Sequence, residues 1–296
     1  MNWVKRTLVG LFALVGVLLV WGLLEPYVID EQVYEVALPA LPASWEGQQV
    51  AVIADLQVGM WLDNTPTVRR IVSRLLEQQP ALVLIAGDFI YHPGKDGADE
   101  IKEAVALVRP LAEAGIPTYA VLGNHDYRMP TEQASKDVAL AETLSAALGV
   151  AGIRVLHNEA VSLAGASGDA APLYLVGIGP HIPREDDPQA ALAELPAAAP
   201  RLAFMHHPES FKVFPKGAAP LAVAAHTHGG QFSIPFTPAW TWMSYTREDE
   251  VHADGWIQGY GAAGNRLYIN RGVGFSVVPL RLGAPPELTL FTLVSS

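Results

Sequence analysis

The chain lacks cysteine altogether, and basic residues are scarce in it. Its 296 residues include 19 lysines and arginines against 30 aspartates and glutamates. Without thiols, the chain forms no disulfide bond, offers no thiolate nucleophile and builds no cysteine-ligated metal site. The formal net charge of −11 repels polyanions, so nucleic acid is not expected as a partner. The motifs HExxH and GxSxG are also absent, which leaves a protease without support.

An uncharged apolar run follows Lys5 and Arg6 and covers residues 7–24. About 18 apolar residues is the lower working length of a membrane-spanning helix. Trp3 and Trp21 lie near the two ends of the run, where interfacial aromatic residues commonly sit. Basic residues before the run and acidic residues after it predict a cytoplasmic N-terminus. A cleaved signal peptide is the alternative, but no small-x-small cleavage site closes the run. We therefore expect a single-pass anchor in the inner (cytoplasmic) membrane, with the rest of the chain extracytoplasmic.

Behind the anchor, apolar strand-like runs alternate with helical patterns. The runs cover residues 50–54, 81–86, 117–122, 173–178, 201–205 and 221–225. Helices are expected from Thr65 onward, over residues 99–114 and over residues 131–148. This alternation predicts a layered α/β domain whose strands are buried on both faces. The expected organisation is a cytoplasmic stub and anchor (1–24), a juxtamembrane connector with a first strand (25–48), and a main domain (49–296).

Polar side chains that suit metal binding close these apolar runs. They are Asp55 with Gln57, Asp88, Asn124-His125-Asp126, His206-His207, and His226 with His228. In α/β sheets, ligand sites form outside the carboxyl ends of strands, so we expect these residues to converge. Oxygen and imidazole donors suit Mn²⁺, Fe, Zn²⁺ or Ni²⁺, and there are enough donors for two ions. Each residue alone has a plainer interpretation, such as a capping aspartate or a packed histidine, but their recurrence at successive run ends favours one site.

The ordered motifs resemble those of the calcineurin-like metallophosphoesterases. The similarity is closer to their membrane-anchored bacterial branch, which ends in HTHGGQ and a later RGVG…PLR…PPEL. It extends from about residue 36 to the C-terminus. The resemblance implies a four-layer αββα sandwich over residues 49–296, and the second sheet of that sandwich would account for the strand-rich end of the chain.

The resemblance also implies a dinuclear metal site in which Asp88 bridges both ions. The implied ligands are Asp55 and His228 for the first ion, with Gln57 assisting, and Asn124, His206 and His226 for the second. A metal-bridging hydroxide would attack phosphorus in line, which makes the chain a phosphodiesterase or pyrophosphatase. His125 would lie beside the metals and protonate the leaving oxygen. Asp126 either orients His125 or is a turn carboxylate, and His207 is expected to pack beside the site.

Two departures from the family pattern matter. The opening motif of the family is usually Asp-x-His, whereas this chain has Asp55-Leu56-Gln57. An amide oxygen is a weaker ligand than imidazole and prefers harder ions, which favours Mn²⁺ or Mg²⁺. Gln57 either binds the ion directly or hydrogen-bonds a water bound to it. The second motif, GDFIYHP, lacks the Asp-Arg-Gly extension of the Ser/Thr protein phosphatases, which argues against a phosphoprotein substrate.

Aromatic residues follow two of the motif segments and suggest the substrate. Trp61 and Trp242 could hold an acyl chain or enter the membrane interface, so lipid-linked phosphodiesters or pyrophosphates are the favoured substrates. Ordinary packing under loops is the alternative. Arg128 and Arg271 are candidate phosphate contacts, with surface salt bridges as the alternative. A monomer is expected. The competing hypothesis is a metal-binding or regulatory protein on the same scaffold with weakened catalysis. In that case Gln57, in place of the usual histidine, would indicate the lost catalytic activity.

Overall fold

The computed structural model describes residues 2–163, 172–233, 241 and 253–296, and its strands form two sheets. The first sheet contains β1 (Asp30–Leu38), β2 (Gln49–Ile53), β3 (Leu82–Ala86), β4 (Thr118–Val121), β5 (Arg154–Val155) and β12 (Glu287–Ser295). The second contains β6 (Glu159–Leu163), β7 (Leu173–Gly177), β8 (Arg201–Phe204), β9 (Ala222–Ala224), β10 (Gly255–Ile257) and β11 (Leu267–Ile269). The strand orders are β1-β12-β2-β3-β4-β5 and β10-β11-β9-β8-β7-β6.

The structure describes five α-helices. They are α1 (Asn2–Leu24), α2 (Thr65–Gln78), α3 (Ala98–Glu113), α4 (Val138–Val150) and α5 (Pro188–Leu192). α2, α3 and α4 bury their apolar faces against the outer side of the first sheet. α5 and the neighbouring loops cover the outer side of the second sheet.

The two-residue periodicity of the strands explains why the sheets stack. In β2, Val50 and Val52 point into the core between the sheets, while Ala51 and Ile53 point towards the helices. Successive side chains of a strand face opposite sides, so a strand that is apolar throughout needs cover on both. β3 meets the same condition, since all five of its residues are buried. The molecule therefore has the predicted four layers, helices–sheet–sheet–helices.

Each predicted strand-like run forms a strand, and two of the three predicted helices begin where expected. The third prediction is wrong at its start, because α4 begins at Val138 rather than at residue 131. Asp137 is the reason: its carboxylate accepts the backbone N–H of Leu140 at 3.1 Å and so caps the helix there. Arg128 reaches the same carboxylate at 3.2 Å.

The region predicted as a connector contributes a strand to the first sheet. β1 pairs in parallel with β12, from Asp30 opposite Glu287 to Leu38 opposite Ser295. β12 in turn pairs antiparallel with β2. The segment that leaves α1 is therefore hydrogen-bonded to the main domain along its whole strand.

Within the described residues, one helical segment, Trp3–Tyr27, is long and apolar enough to cross a membrane. α1 has 23 residues, which corresponds to roughly 34 Å of helix at 1.5 Å per residue. A signal sequence near the N-terminus meets the same criteria of length and composition.

The end of α1 is docked on the main domain. The carbonyl of Gly22 accepts the backbone N–H of Arg281 at 3.0 Å. The buried carboxylate of Glu25 accepts the backbone N–H of Ala284 at 2.6 Å. The hydroxyl of Thr67, on α2, donates to the carbonyl of Pro26 at 2.9 Å. These bonds fix the helix end beside the chain segment 281–284.

Candidate metal centre

The polar residues converge because the strands that carry them run in the same direction. β2, β3 and β4 are parallel neighbours in the first sheet, and β7, β8, β9 and β11 are parallel neighbours in the second. The carboxyl ends of parallel strands share one edge of a sheet. Ala54, Ala86 and Ala225 pack together at these ends, and their small side chains let the two edges approach. His206 bridges the sheets, because its Nδ1 donates to the carbonyl of Ala86 at 2.8 Å.

Asp55, Asp88 and His206 form the centre of the cluster. One atom from each side chain that could bind a metal ion lies within 4.8 Å of the corresponding atoms of the other two. His206 Nε2 lies 3.2 Å from Asp88 Oδ2, and His228 Nε2 lies 3.9 Å from Asp55 Oδ1. All four side chains are buried. The structure therefore brings together two carboxylates and two imidazoles that the sequence separates by up to 173 positions, from residue 55 to residue 228.

Asn124 and His226 extend the cluster on the side of His206. The Asn124 amide donates through Nδ2 to the carbonyl of Met129 at 2.6 Å. Its oxygen, Oδ1, has no hydrogen-bond partner among the described residues. His226 Nδ1 lies 3.2 Å from His206 Nε2. Asn124 and His226 also line one cavity together with Asp88 and His228. The predicted ligand residues thus lie together at one site.

Buried donor atoms without a hydrogen-bond partner show that a cation fits this site. Among the described residues, they include both carboxylate oxygens of Asp55, Gln57 Oε1, Asn124 Oδ1 and His228 Nδ1. A buried polar atom left unpaired costs about 1–3 kcal/mol, so such atoms rarely collect in one place. Oxygen and imidazole donors are the ligand types that divalent cations take in the absence of thiolates.

Gln57 contacts the carboxylate that is expected to bridge the ions. Its Nε2 donates to Asp88 Oδ2 at 2.9 Å. An ionised carboxylate only accepts hydrogen bonds, so this contact fixes which end of the amide faces Asp88. Gln57 Oε1 is then the only atom of that amide able to face a cation or its water. The two roles expected of Gln57 from the sequence were direct binding of the ion and a hydrogen bond to its water. Neither of them includes this hydrogen bond to Asp88.

Burial and the neighbouring charges shift the pKa values of the cluster. Burial raises the pKa of Asp55 to about 7. Burial alone would also raise the pKa of Asp88, but the His206 and His125 imidazoles hold it below its usual range. For His206, burial opposes the charged form, yet the Asp88 carboxylate raises its pKa to about 9. Burial lowers the pKa of His228 to about 3.

His125 lies beside the cluster with one ring nitrogen available. Its Nδ1 lies 3.3 Å from the carbonyl of Tyr91, and its ring stacks on the Tyr91 ring with centroids 4.6 Å apart. A carbonyl only accepts hydrogen bonds, so Nδ1 carries the proton and Nε2 is the basic nitrogen. The backbone N–H of His125 donates to Asp88 Oδ1 at 2.9 Å. Burial lowers the pKa of the imidazole.

Asp126 acts on the backbone rather than on His125. Its Oδ1 accepts the N–H groups of Phe89 and Ile90, and its Oδ2 accepts those of Asp88 and Gly123. Of the two sequence alternatives, the structure therefore supports the turn carboxylate. It ties the loop after β3 to the loop after β4.

Two glycines allow the carboxylates to approach the backbone. A Cβ at Gly123 would lie 2.1 Å from Asp88 Oδ1, and a Cβ at Gly272 would lie 2.2 Å from Asp55 Oδ2. Both distances are far below van der Waals contact, so a side chain at either position would displace a carboxylate. The motifs GNHD and RGVG in the sequence gave no sign that these glycines make room for the two carboxylates.

Arg281 lies under the same loop and was not anticipated from the sequence. Its guanidinium is fully buried and donates to the carbonyls of Gly274 (2.8 Å), Ala284 (2.7 Å) and Arg271 (2.9 Å). Burial lowers its pKa to about 9. Arg281 thereby holds the segment that carries Gly272 against Asp55. A lone arginine in PLR gives no pattern by which its burial could be predicted.

The cluster opens into a cavity of about 540 Å³. One part of its wall is polar and includes Asp88, Asn124, His125 and the two imidazoles of His226 and His228. Another part is apolar and is formed by Pro130, Phe232, Val277 and Val278. Val277 is 71% exposed and lies at the rim. The site can therefore accept an anionic group at its floor and an apolar group at its mouth.

The structure places the two predicted phosphate contacts, Arg271 and Arg128, in salt bridges. Arg271 is surrounded by carboxylates, with Glu287 Oε2 at 2.8 Å, Asp254 Oδ2 at 3.7 Å and Asp30 in direct contact, so its charge is already neutralised. Arg128 pairs with Asp137 and donates to the carbonyl of Pro93 at 2.8 Å. Both arginines stabilise loops, as the salt-bridge alternative proposed.

Of the two tryptophans predicted to contact substrate, Trp61 lies at the surface of the described structure. Trp61 is 73% exposed and lies between Met60 and Leu62, which pack with Tyr91 and Phe275. Trp242 lies outside the described residues.

Comparison with known proteins gives consistent matches over most of the chain. The family model described as calcineurin-like phosphoesterase matches residues 49–230. Phosphodiesterase YaeI of Escherichia coli (strain K12) is 34% identical over 225 residues, which cover 74% of this chain and 72% of the relative. The uncharacterized metallophosphoesterase YkuE of Bacillus subtilis (strain 168) is 24% identical over 275 residues, which cover 92% of this chain and 88% of the relative. The crystal structure of TT1561 of Thermus thermophilus matches with a TM-score of 0.46 and 12% identity, over 76% of this chain and 90% of that one.

Proposed function

The chain belongs to the calcineurin-like phosphoesterase family, and from that premise we propose that it is a membrane-tethered, metal-dependent phosphodiesterase. The observation that carries the proposal is the convergence of Asp55, Asp88 and His206, together with unpartnered buried donor atoms around them. The relative named a phosphodiesterase supports the diester preference.

The residues of the cluster would hold two divalent cations, and Asp88 would contribute to both. Asp55 and His228 would hold the first ion, with Gln57 placed to assist through Oε1, and Asn124, His206 and His226 would hold the second. When bound, the two ions lower the pKa of a water molecule and neutralise charge on the phosphoryl oxygens. Manganese is the metal we propose for the assays, since carboxylate, amide and imidazole donors suit it.

His125 is the residue that we assign to proton transfer. Its Nδ1 is held by the carbonyl of Tyr91, and Nε2 is the nitrogen left to face the cavity. An anionic phosphoryl group beside the ring favours the charged imidazolium, which opposes the effect of burial on its pKa. A proton held on Nε2 can then pass to the leaving oxygen.

The position of α1 supports a lipid-linked phosphodiester or pyrophosphate as substrate. Arg281, whose backbone N–H bonds the carbonyl of Gly22 at the end of α1, is four residues from Val277 at the cavity rim. Four residues span at most about 14 Å. If α1 crosses the bilayer, the cavity mouth and its apolar wall lie at the membrane surface. A substrate anchored in the membrane by acyl chains would reach the site without leaving the bilayer.

A chromogenic diester tests the enzymatic part of the proposal. We expect the full chain in detergent with Mn²⁺ to hydrolyse bis(p-nitrophenyl) phosphate, and Asp88→Asn to lose at least about 100-fold in rate, because one shared ligand of both ions is weakened. Asp99→Asn, an exposed aspartate in the first turn of α3, is the matched control and should keep the wild-type rate. Equal rates for wild type and Asp88→Asn would favour the alternative, a metal-binding or regulatory protein.

The lipid preference needs a separate comparison on one protein. Full-length chain in proteoliposomes is supplied with a lipid-linked pyrophosphate and, in parallel, with the water-soluble diester. We expect kcat/KM to be higher for the lipid, and Val277→Asp at the rim to lower the lipid rate more than the soluble rate. Equal kcat/KM for both substrates, unaffected by Val277→Asp, would refute the lipid assignment and leave the phosphodiesterase assignment standing.

A further inference from the structure

His207 is a fully buried imidazole next to the proposed metal centre. It follows His206 at the end of β8 and is 1% exposed. Neither its Nδ1 nor its Nε2 has a hydrogen-bond partner among the described residues. A packed histidine normally satisfies at least one ring nitrogen, so the role expected from the sequence, a side chain merely packed beside the site, leaves this observation unexplained.

The surroundings of His207 are imidazoles. Its ring centroid lies 4.3 Å from that of His226 and 4.7 Å from that of His206. The next ring, His181, is 6.3 Å away and already pairs with Asp186 at 2.9 Å. Among the described residues, His207 therefore faces two proposed ligands of the second ion, and the third imidazole near it already has a partner.

The nitrogens of these rings are spaced as ligands of one ion. One ring nitrogen from each of His206, His207 and His226 lies within 4.8 Å of the other two. His206 Nε2 and His226 Nδ1 are 3.2 Å apart. Nitrogens bound to a common ion at about 2.0–2.1 Å are roughly 3–4 Å from one another, and the three imidazoles lie close to that spacing.

We propose that His207 is a ligand of the second cation, together with His206 and His226. The proposal rests on the proposed function, because it adds a ligand to the same metal centre. It makes the two positions chemically different. The first is rich in oxygen donors, from Asp55 and Asp88, and suits harder ions such as Mn²⁺, whereas three imidazoles select Zn²⁺, Ni²⁺ or Fe.

The absence of cysteine gives this proposal a direct spectroscopic test. His207→Cys places a single thiol at the position, and a cobalt ion bound by that thiolate shows a thiolate-to-metal charge-transfer band in the near ultraviolet. Full-length protein in detergent is stripped with a chelator and titrated with Co²⁺. His157→Cys, at a half-exposed imidazole distant in the sequence from every proposed ligand, is the matched control.

We expect the band in His207→Cys, saturating at one equivalent of Co²⁺ per chain, and no band in His157→Cys. Binding of Co²⁺ by His207→Cys without the band would overturn the proposal. His207→Gln provides a second measurement if the cysteine variant is unstable: we expect it to lose about 10-fold or more in Zn²⁺ affinity at one site only, and unchanged Zn²⁺ affinity at both sites would also overturn the proposal. Neither readout uses hydrolysis, so an inactive wild-type protein together with the band in His207→Cys would refute the proposed function and leave this inference intact.

Discussion

Asp126→Asn is the substitution that best separates backbone organisation from catalysis. The carboxylate accepts four buried N–H groups, at 2.8 and 3.2 Å through Oδ1 and at 2.9 and 3.0 Å through Oδ2. An asparagine presents NH₂ in place of one oxygen, so two of the four N–H groups lose their acceptor. Each unpaired buried donor costs about 1–3 kcal/mol. We therefore expect the free energy of unfolding to fall by about 2–6 kcal/mol.

Thermal unfolding of the full chain in detergent measures this loss. At pH 8, above the value of about 7 to which burial raises the pKa of Asp126, the Tm should fall by about 5–20 °C. Asp99→Asn on the surface should stay within about 0.5 kcal/mol of wild type. A Tm like that of the control, combined with a shifted pH–rate profile, would instead show that Asp126 acts through His125.

Three further predictions concern the metal centre. Gly123→Ala should reduce hydrolysis by about 100-fold, because a Cβ 2.1 Å from Asp88 Oδ1 must displace that carboxylate by about 1 Å; a rate within threefold of wild type would contradict this. The affinity of the metal-free protein for Mn²⁺, followed by calorimetry, should rise between pH 6 and 9 by up to about tenfold per pH unit for each displaced proton. The raised pKa values of Asp55 (about 7) and His206 (about 9) mean that both carry protons at lower pH, and a flat affinity would exclude their ligation. Gln57→His should tighten binding of the first ion, since imidazole is the stronger ligand; unchanged affinity would show that residue 57 acts on Asp88 alone.

The strands and the convergence of the polar run-end residues were predictable because both follow from local patterns. An apolar run such as 50–54 can be satisfied only by burial on two faces, and Asp55 at its end then falls on the carboxyl edge of the sheet. The same argument places Asp88 and Asn124 there, whereas the division of the histidines between two ions was implied only by the family resemblance.

The features that were missed depend on contacts between distant segments. Arg281 is buried because seven hydrogen bonds from its backbone and guanidinium converge on carbonyls from Gly22 to Ala284. Arg271 faces inward because β1 brings Asp30 beside it. The burial of these two arginines cannot be inferred from their neighbours in the sequence, since an isolated arginine is usually exposed.

Anomalous diffraction from Mn²⁺-soaked crystals shows whether the run-end residues meet around two cations. We expect two anomalous peaks about 3.5–4 Å apart, with Asp88 in contact with both, Asp55 and His228 at one, and Asn124, His206 and His226 at the other. A single peak, or peaks away from Asp88, would contradict the account.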